Sequence, residues 1–291
     1  MKSKIKIITD TGCDLEPKWL EQNVIHIIKF GLIINDEEYE GETNRQLSVS
    51  EFYEKMSNGA MPKTTQINPY TAKQHIEPFL IEGYDILYIS FSSGLSGSFN
   101  SVNLASLELK EEYPNRKIYI LDSLCASLGQ GLLLDYVVKK MNKGCSFEEL
   151  VEYAENLKLK INHKFTVSNL FHLKRGGRVS STTAIVGSLL SIKPILHVNN
   201  HGKLVSINKK RGRLASLKCL FEMFINSNDV EDNDPIFISH ADCYDDATKL
   251  ANMIRQFKPN NEIYINYIGP IIGTHAGQGT VALFYKGKGR E

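Results

Sequence analysis

Ile86-Leu87-Tyr88-Ile89-Ser90-Phe91-Ser92-Ser93-Gly94-Leu95-Ser96-Gly97-Ser98 decides how this chain is read. Four β-favouring apolar residues empty into a Ser/Gly turn, and Phe99 to Ala105 then reads as a helix. A strand, a tight turn and a helix in that order aim backbone N–H groups and hydroxyls at one point, which is an anion cradle. The same stretch matches part of a hydrolase elbow. Gly94-Leu95-Ser96 fills the first three positions of G-x-S-x-G, but Ser98 stands where the last glycine belongs. Three readings of Ser96 stay open here: a nucleophile with His275 as base, a hydroxyl that holds an anion, or a plain turn.

The strand-then-turn unit recurs on both sides of this stretch. Ile5 to Thr9 runs into Asp10-Thr11-Gly12, Lys117 to Leu121 runs into Asp122-Ser123, and Ile25 to Ile34 reads as a further strand. Helices are predicted over Ser50 to Ser57, Pro69 to Leu80, Leu124 to Met141 and Ser146 to Leu159, the last with the capping box Ser146-Phe147-Glu148-Glu149. Alternation of this kind builds a parallel sheet covered by helices, with ligands beyond the carboxyl ends of the strands. After about Lys160 the texture changes. Ile192 to Val198 and Leu204 to Lys210 flank the turn Asn199-Asn200-His201-Gly202 as a hairpin, and Ile236 to Ser239 and Glu262 to Ile268 read as strands. The predicted fold class is therefore α/β in two domains. Residues 1–160 form a three-layer α/β/α domain on a mainly parallel sheet, and residues 161–291 a two-layer mixed α/β domain.

Composition excludes several function classes. Thirty-four basic against 33 acidic side chains leave a net charge of +1, so no global field recruits nucleic acid or an anionic membrane. Five scattered cysteines without a C-x-x-C pair argue against a disulfide framework or a thiolate zinc site, and for a reducing cytoplasm. The apolar stretch behind Met1 is too short for a signal sequence, and no run is long enough to span a bilayer, so no stable membrane insertion is predicted. Neither a phosphate-binding G-x-x-x-x-G-K-[ST] loop nor a complete G-x-G-x-x-G follows the first strand, which leaves no cofactor indicated.

Other segments carry candidate chemistry. Thr64 and Thr65 lie just before the Asn68-Pro69 helix start, divided between turn chemistry and ligand contact. Leu173 to Ser180 frames Gly176-Gly177 between Arg175 and Arg178, where an arginine fork suits a carboxylate or phosphate and a solvated basic turn is the plain alternative. Arg211 and Arg213 form a second basic cluster. Ser180 to Leu190 reads as a buried helix, and Ile268 to Thr280 surrounds His275 with glycine. No third ligand is spaced to make a metal site with His197 and His201.

Taken in order, Ile8 to Leu15, Thr64-Thr65-Gln66, Ser90 to Phe99, Leu173 to Ser180, Ile192 to Leu196 and Ile268 to Gly279 resemble the segments of the DegV family. The resemblance spans nearly the whole chain. It implies a bacterial, two-domain α/β protein that holds a long-chain fatty acid in a tunnel between its domains. In FakB-like members the carboxyl group is presented to a separate fatty acid kinase, FakA, for conversion to acyl phosphate. On that resemblance Thr64 and Ser96, with Thr65 and Gly97 beside them, bind the carboxylate. Arg178, Arg211 and His275 fall at the head-group site or the kinase-docking surface. The expected partners are then a fatty acid or acyl phosphate and a fatty acid kinase involved in phospholipid synthesis, with no catalytic residue in this chain. The alternatives are a serine-dependent lipid hydrolase using Ser96 and His275, or a lipid sensor without a kinase. This sequence departs from the family pattern at Thr65, Ile67 and Gln278, where Ser, Pro and Pro are frequent.

Overall fold

The computed structural model describes residues 4–41, 43, 45–179 and 191–290. The expected helix over Ser180 to Leu190 lies outside the described residues.

The N-terminal sheet is parallel, with strand order β2-β1-β6-β7. Its members are β1 (Lys4–Asp10), β2 (His26–Ile28), β6 (Tyr84–Ser90) and β7 (Ile118–Asp122). Side chains alternate across it with the period of two that a strand imposes. Ile8, Ile86, Tyr88 and Ile120 pack on α3 (Pro69–Ile81) and α4 (Ser98–Glu112), while Ile7, Leu87, Ile89 and Leu121 pack on α5 (Leu128–Asn142) and α6 (Phe147–Lys158). Both faces are thus covered, as a parallel sheet requires. The capping box at Ser146 forms as predicted, with Glu149 reaching back to the Ser146 N–H.

A six-stranded mixed sheet follows, in the order β10-β9-β8-β13-β11-β12. It contains β8 (Ile161–Thr166), β9 (Ile192–Val198), β10 (Leu204–Arg211), β11 (Ile236–His240), β12 (Ile263–Tyr267) and β13 (Val281–Lys286). Its two central strands, β8 and β13, are additions to the four strands predicted. Along β13, Val281, Leu283 and Tyr285 face α8 (Arg213–Ser227) and α9 (Tyr244–Phe257), whereas Ala282 and Phe284 face α5. Every residue of α5 from Leu128 to Val138 is buried, because this helix lies between the two large sheets. Among the described residues no helix is long and apolar enough to cross a membrane.

Three details differ from the sequence reading. The run Ile25 to Ile34 is two strands, because the Phe30 N–H is taken by Thr11 Oγ1 (3.0 Å) and leaves the sheet ladder. Beyond that break, β3 (Gly31–Ile34) joins a separate antiparallel sheet, between β4 (Glu37–Glu40) and β5 (Lys63–Thr65). Thr64 and Thr65 are accordingly on a strand rather than in a helix-capping turn. The helix expected from Leu124 begins only at Leu128, since Leu124 and Ser127 have φ of 53° and 54°, outside helical space. Two short helices, α2 (Val49–Ser57) and α10 (Pro270–Ala276), lie together, with Tyr53 Oη donating to the Ile268 carbonyl (2.8 Å).

Candidate functional site

A cavity of about 290 Å³ lies where the carboxyl ends of the parallel strands meet the inner face of the mixed sheet. That is near the lower end of small-molecule pockets, which run to roughly 1,000 Å³. Thr64, Thr65, Ser96, Gly97, Arg178 and His275 all line it. Arg211 does not: it is exposed at the end of β10, paired with Ile192.

The turn carrying Ser96 is anchored on several sides. Asp10 Oδ2 accepts from Phe91 N (2.8 Å), and Asp122 Oδ1 accepts from Ser93 N (3.1 Å). Ser92 Oγ donates to the Gly202 carbonyl at the tip of the β9–β10 hairpin (2.8 Å), and Arg178 Nε donates to the Leu95 carbonyl (3.1 Å). Ser98 Oγ accepts from Ile67 N (3.1 Å) and lies 3.1 Å from Ser96 Oγ. With Ser98 donating in that pair, the Ser96 O–H is left to point into the cavity. A Cβ at Gly97 would come within 2.3 Å of Gln66 Oε1, so any side chain there displaces the Gln66 amide.

Across the cavity, Thr64 Oγ1 is 2.9 Å from His275 Nε2. If His275 donates from Nε2, the Thr64 hydroxyl is free to donate in turn to a ligand oxygen. His275 sits over Gly176, whose missing Cβ would lie 2.3 Å from Nδ1. Burial first, and then the positive charges of Arg178 and Arg175, push the His275 pKa down to about 4, so the ring is neutral at neutral pH. Its Nδ1 is buried without a hydrogen-bond partner, and its Nε2 bonds Thr64 rather than Ser96. A Ser-His-acid relay through Ser96 is therefore not assembled. Among the described residues, no three His, Cys, Asp or Glu side chains converge on a metal position.

Apart from Gln66, the rest of the wall is apolar, either by composition or by saturation. Phe30, Phe91, Phe165, Leu173, Ile271 and Phe284 contribute hydrocarbon. Ser127, His163 and Thr280 are polar, yet each is already bonded to protein. Ser127 Oγ donates to Asp14 Oδ2 (2.5 Å), and Thr280 Oγ1 donates to the Gly277 carbonyl (2.8 Å). His163 Nε2 accepts from Ala126 N (3.2 Å), while its Nδ1 lies 3.0 Å from the Ile161 carbonyl; burial drives its pKa well down.

Sequence reasoning passed over Asp10, Asp14, Ser127 and His163. The two aspartates had a signal, since Asp10-Thr11-Gly12-Cys13-Asp14 closes a strand as the Ser/Gly turn does. Both are fully buried, and burial raises Asp10 to about 6 and Asp14 to about 7 despite their hydrogen bonds. Ser127 and His163 gave no local signal.

Comparison with known proteins agrees with this architecture. A "DegV domain-containing protein" of Clostridium perfringens is 42% identical over 292 residues, covering 99% of each chain. The crystal structure of DegV from Bacillus subtilis, described as a fatty acid binding protein, superposes with a TM-score of 0.83 at 29% identity, covering 99% of this chain and 100% of that one. A fatty acid binding DegV family protein from Streptococcus agalactiae gives a TM-score of 0.85 at 30% identity, covering 98% and 99%. The DegV family model matches residues 4–288, and the chain belongs to that family.

Proposed function

We propose that this protein binds a long-chain fatty acid in the cavity and presents its carboxyl group to a separate fatty acid kinase for acyl-phosphate formation. One observation carries the reading. The hydroxyls of Thr64 and Ser96 are paired with groups that can donate to them, His275 and Ser98, in a cavity where Ser127, His163 and Thr280 are tied to protein. A carboxylate is an acceptor only, so it is matched by that pair of hydroxyls and not by Ser127, His163 or Thr280. Thr65 and Gly97 complete the carboxylate site, and the Arg178 guanidinium adds positive charge behind it. The Bacillus subtilis and Streptococcus agalactiae relatives, both described as fatty acid binding, support the ligand class.

Tail and head divide the work. Burying about 14 methylenes yields roughly 11 kcal/mol gross, at ~0.8 kcal/mol each, before ordering costs. Each head-group hydrogen bond nets only ~1 to 2 kcal/mol. The tail sets affinity, while Thr64 and Ser96 set depth and orientation. His275 serves this arrangement as the neutral partner that orients the Thr64 hydroxyl. Arg211, exposed and away from the cavity, is assigned to kinase docking.

Native mass spectrometry of freshly purified protein tests the ligand: a co-purified fatty acid is expected. Reconstitution with a fatty acid kinase and ATP tests the presentation step, with acyl phosphate formed by wild type and strongly reduced in Ser96→Ala. Equal transfer rates would overturn the role of Ser96.

A further inference from the structure

No residue of the segment Asp10-Thr11-Gly12-Cys13-Asp14 lines the cavity. It nevertheless holds the three elements that supply the head-group site. Asp10, at the end of β1, accepts from Phe91 N (2.8 Å), the first residue of the turn that carries Ser96 and Gly97. Its second oxygen accepts from Gly12 N (3.0 Å) and Gln130 Nε2 (3.2 Å), so the carboxylate is fixed from both sides. Thr11 Oγ1 accepts from Phe30 N (3.0 Å), the residue before β3, and β3 pairs Leu32 with Thr64. Asp14 Oδ1 accepts from Gly269 N (3.0 Å), the residue before α10, which carries His275. Asn266 Nδ2 donates to the Asp14 carbonyl (2.9 Å), and Ser127 Oγ to Asp14 Oδ2 (2.5 Å).

Separate segments of the chain therefore take their positions from one five-residue turn. The contacts to Phe91, Phe30 and Gly269 are short and made to backbone N–H groups, so they fix main-chain position rather than side-chain rotamer. Gly269 has no room for a side chain: a Cβ there would lie 2.7 Å from Asp14 Oδ1. Helix α10 is thus seated against the aspartate, with no slack between them.

We infer that Asp10 and Asp14 are positioning residues for the carboxylate site: one holds the Ser96 turn, the other holds the His275 helix, and together they set the distance between the two. This rests on the reading of the cavity as a fatty acid site. It separates two properties that a merely structural role would move together, namely affinity for the acyl tail and preference for a carboxylate head.

The test uses the full chain, stripped of lipid, with palmitic acid and 1-hexadecanol as probes of matched length. Wild type is expected to prefer the acid by about tenfold or more, a ratio that two or so head-group hydrogen bonds provide. In Asp10→Ala and Asp14→Ala the acid-to-alcohol ratio is expected to fall towards 1, with alcohol affinity unchanged within about twofold. Asp14→Asn, which keeps an acceptor for Gly269 N, is expected to restore most of the preference. A wild-type ratio in the alanine variants, or a parallel loss of both affinities, would overturn the inference while leaving fatty acid binding intact. If the alanine variants do not fold, Gly269→Ala decides, because it pushes α10 from Asp14 without altering a buried charge: a reduced ratio supports the inference and an unchanged one overturns it. Wild type that binds neither probe would instead overturn the fatty acid reading itself, and this inference with it.

Discussion

The cavity has two kinds of polar wall, and the comparison between them explains what the protein can hold. Ser96 and Thr64 are hydroxyls at one place; Ser127 and Thr280 are hydroxyls at another. By residue type the two pairs are alike. They differ in their partners. Ser127 and Thr280 give their protons to Asp14 and to the Gly277 carbonyl, so neither has a donor left for a ligand. Ser96 and Thr64 are bonded to groups that can themselves donate, Ser98 and His275, and with those groups donating they keep their own protons for a ligand. A polar residue in a lining is therefore not a polar site until its hydrogen bonds are counted.

The largest break in this contrast comes from the hydrocarbon side. Ala282→Phe, on the inner face of β13, fills the apolar part of the cavity and is expected to shift the preference to shorter acids. At ~0.8 kcal/mol per excluded methylene, two to four lost methylenes weaken a long-chain acid by roughly fifteenfold to two-hundredfold. Competitive displacement of a fluorescent fatty acid by a series of chain lengths measures it; an unchanged length profile would place the tail elsewhere.

A smaller effect follows at the head. Ser96→Ala removes one donor and is expected to weaken fatty acid binding by ~1 to 2 kcal/mol, a factor of about 5 to 30. Ser127→Ala, on the saturated wall, should lower thermal stability and leave the acid-over-alcohol preference in place. Calorimetric titration of both variants side by side compares the two walls directly, and equal losses of that preference would abolish the distinction drawn here.

Titration gives a third probe. The His275 pKa is depressed to about 4, so its contribution to stability is present above its ordinary value near 6.5 and lost as pH falls from there towards 4. Asp10 and Asp14 are raised to about 6 and about 7, so their contribution is greatest below the ordinary carboxylate range and is lost as pH rises through those values. The two effects oppose each other across the acid range. His275→Gln removes only the first, so its melting temperature relative to wild type is expected to improve on going from pH 7 to pH 4.5. A constant difference at all pH values would mean that His275 is not held neutral.

The smallest expected change is at Arg211. Exposed and outside the cavity, Arg211→Ala should leave fatty acid affinity within about twofold of wild type, the usual scale of surface substitutions, while slowing transfer by a kinase. A large loss of lipid affinity would put Arg211 inside the site.

Much of this was legible in the sequence for local reasons. The parallel strands announce themselves by short β-branched runs ending in Gly, Ser and Asp turns, and the Ser146 capping box and the hairpin around Asn199 follow from residue chemistry within a few positions. What stayed hidden depends on distant partners. Strand β8, Ile-Asn-His-Lys-Phe-Thr, carries four polar residues and still lies wholly buried at the middle of a sheet, because His163 and Asn162 find backbone partners far along the chain. The apolar run of β2 and β3 reads as one strand until a hydroxyl nineteen residues earlier takes the Phe30 N–H.

By itself, then, the sequence determined the α/β class, the ordered motifs of the DegV family and the turn that carries Ser96, since these rest on local propensity and spacing. Only the tertiary structure decided which hydroxyls remain available to a ligand, where Arg211 stands, and that Asp10 and Asp14 hold the site together. Those are questions of hydrogen-bond partnership across the fold, and partners separated by a hundred residues or more are set by packing rather than by neighbouring sequence.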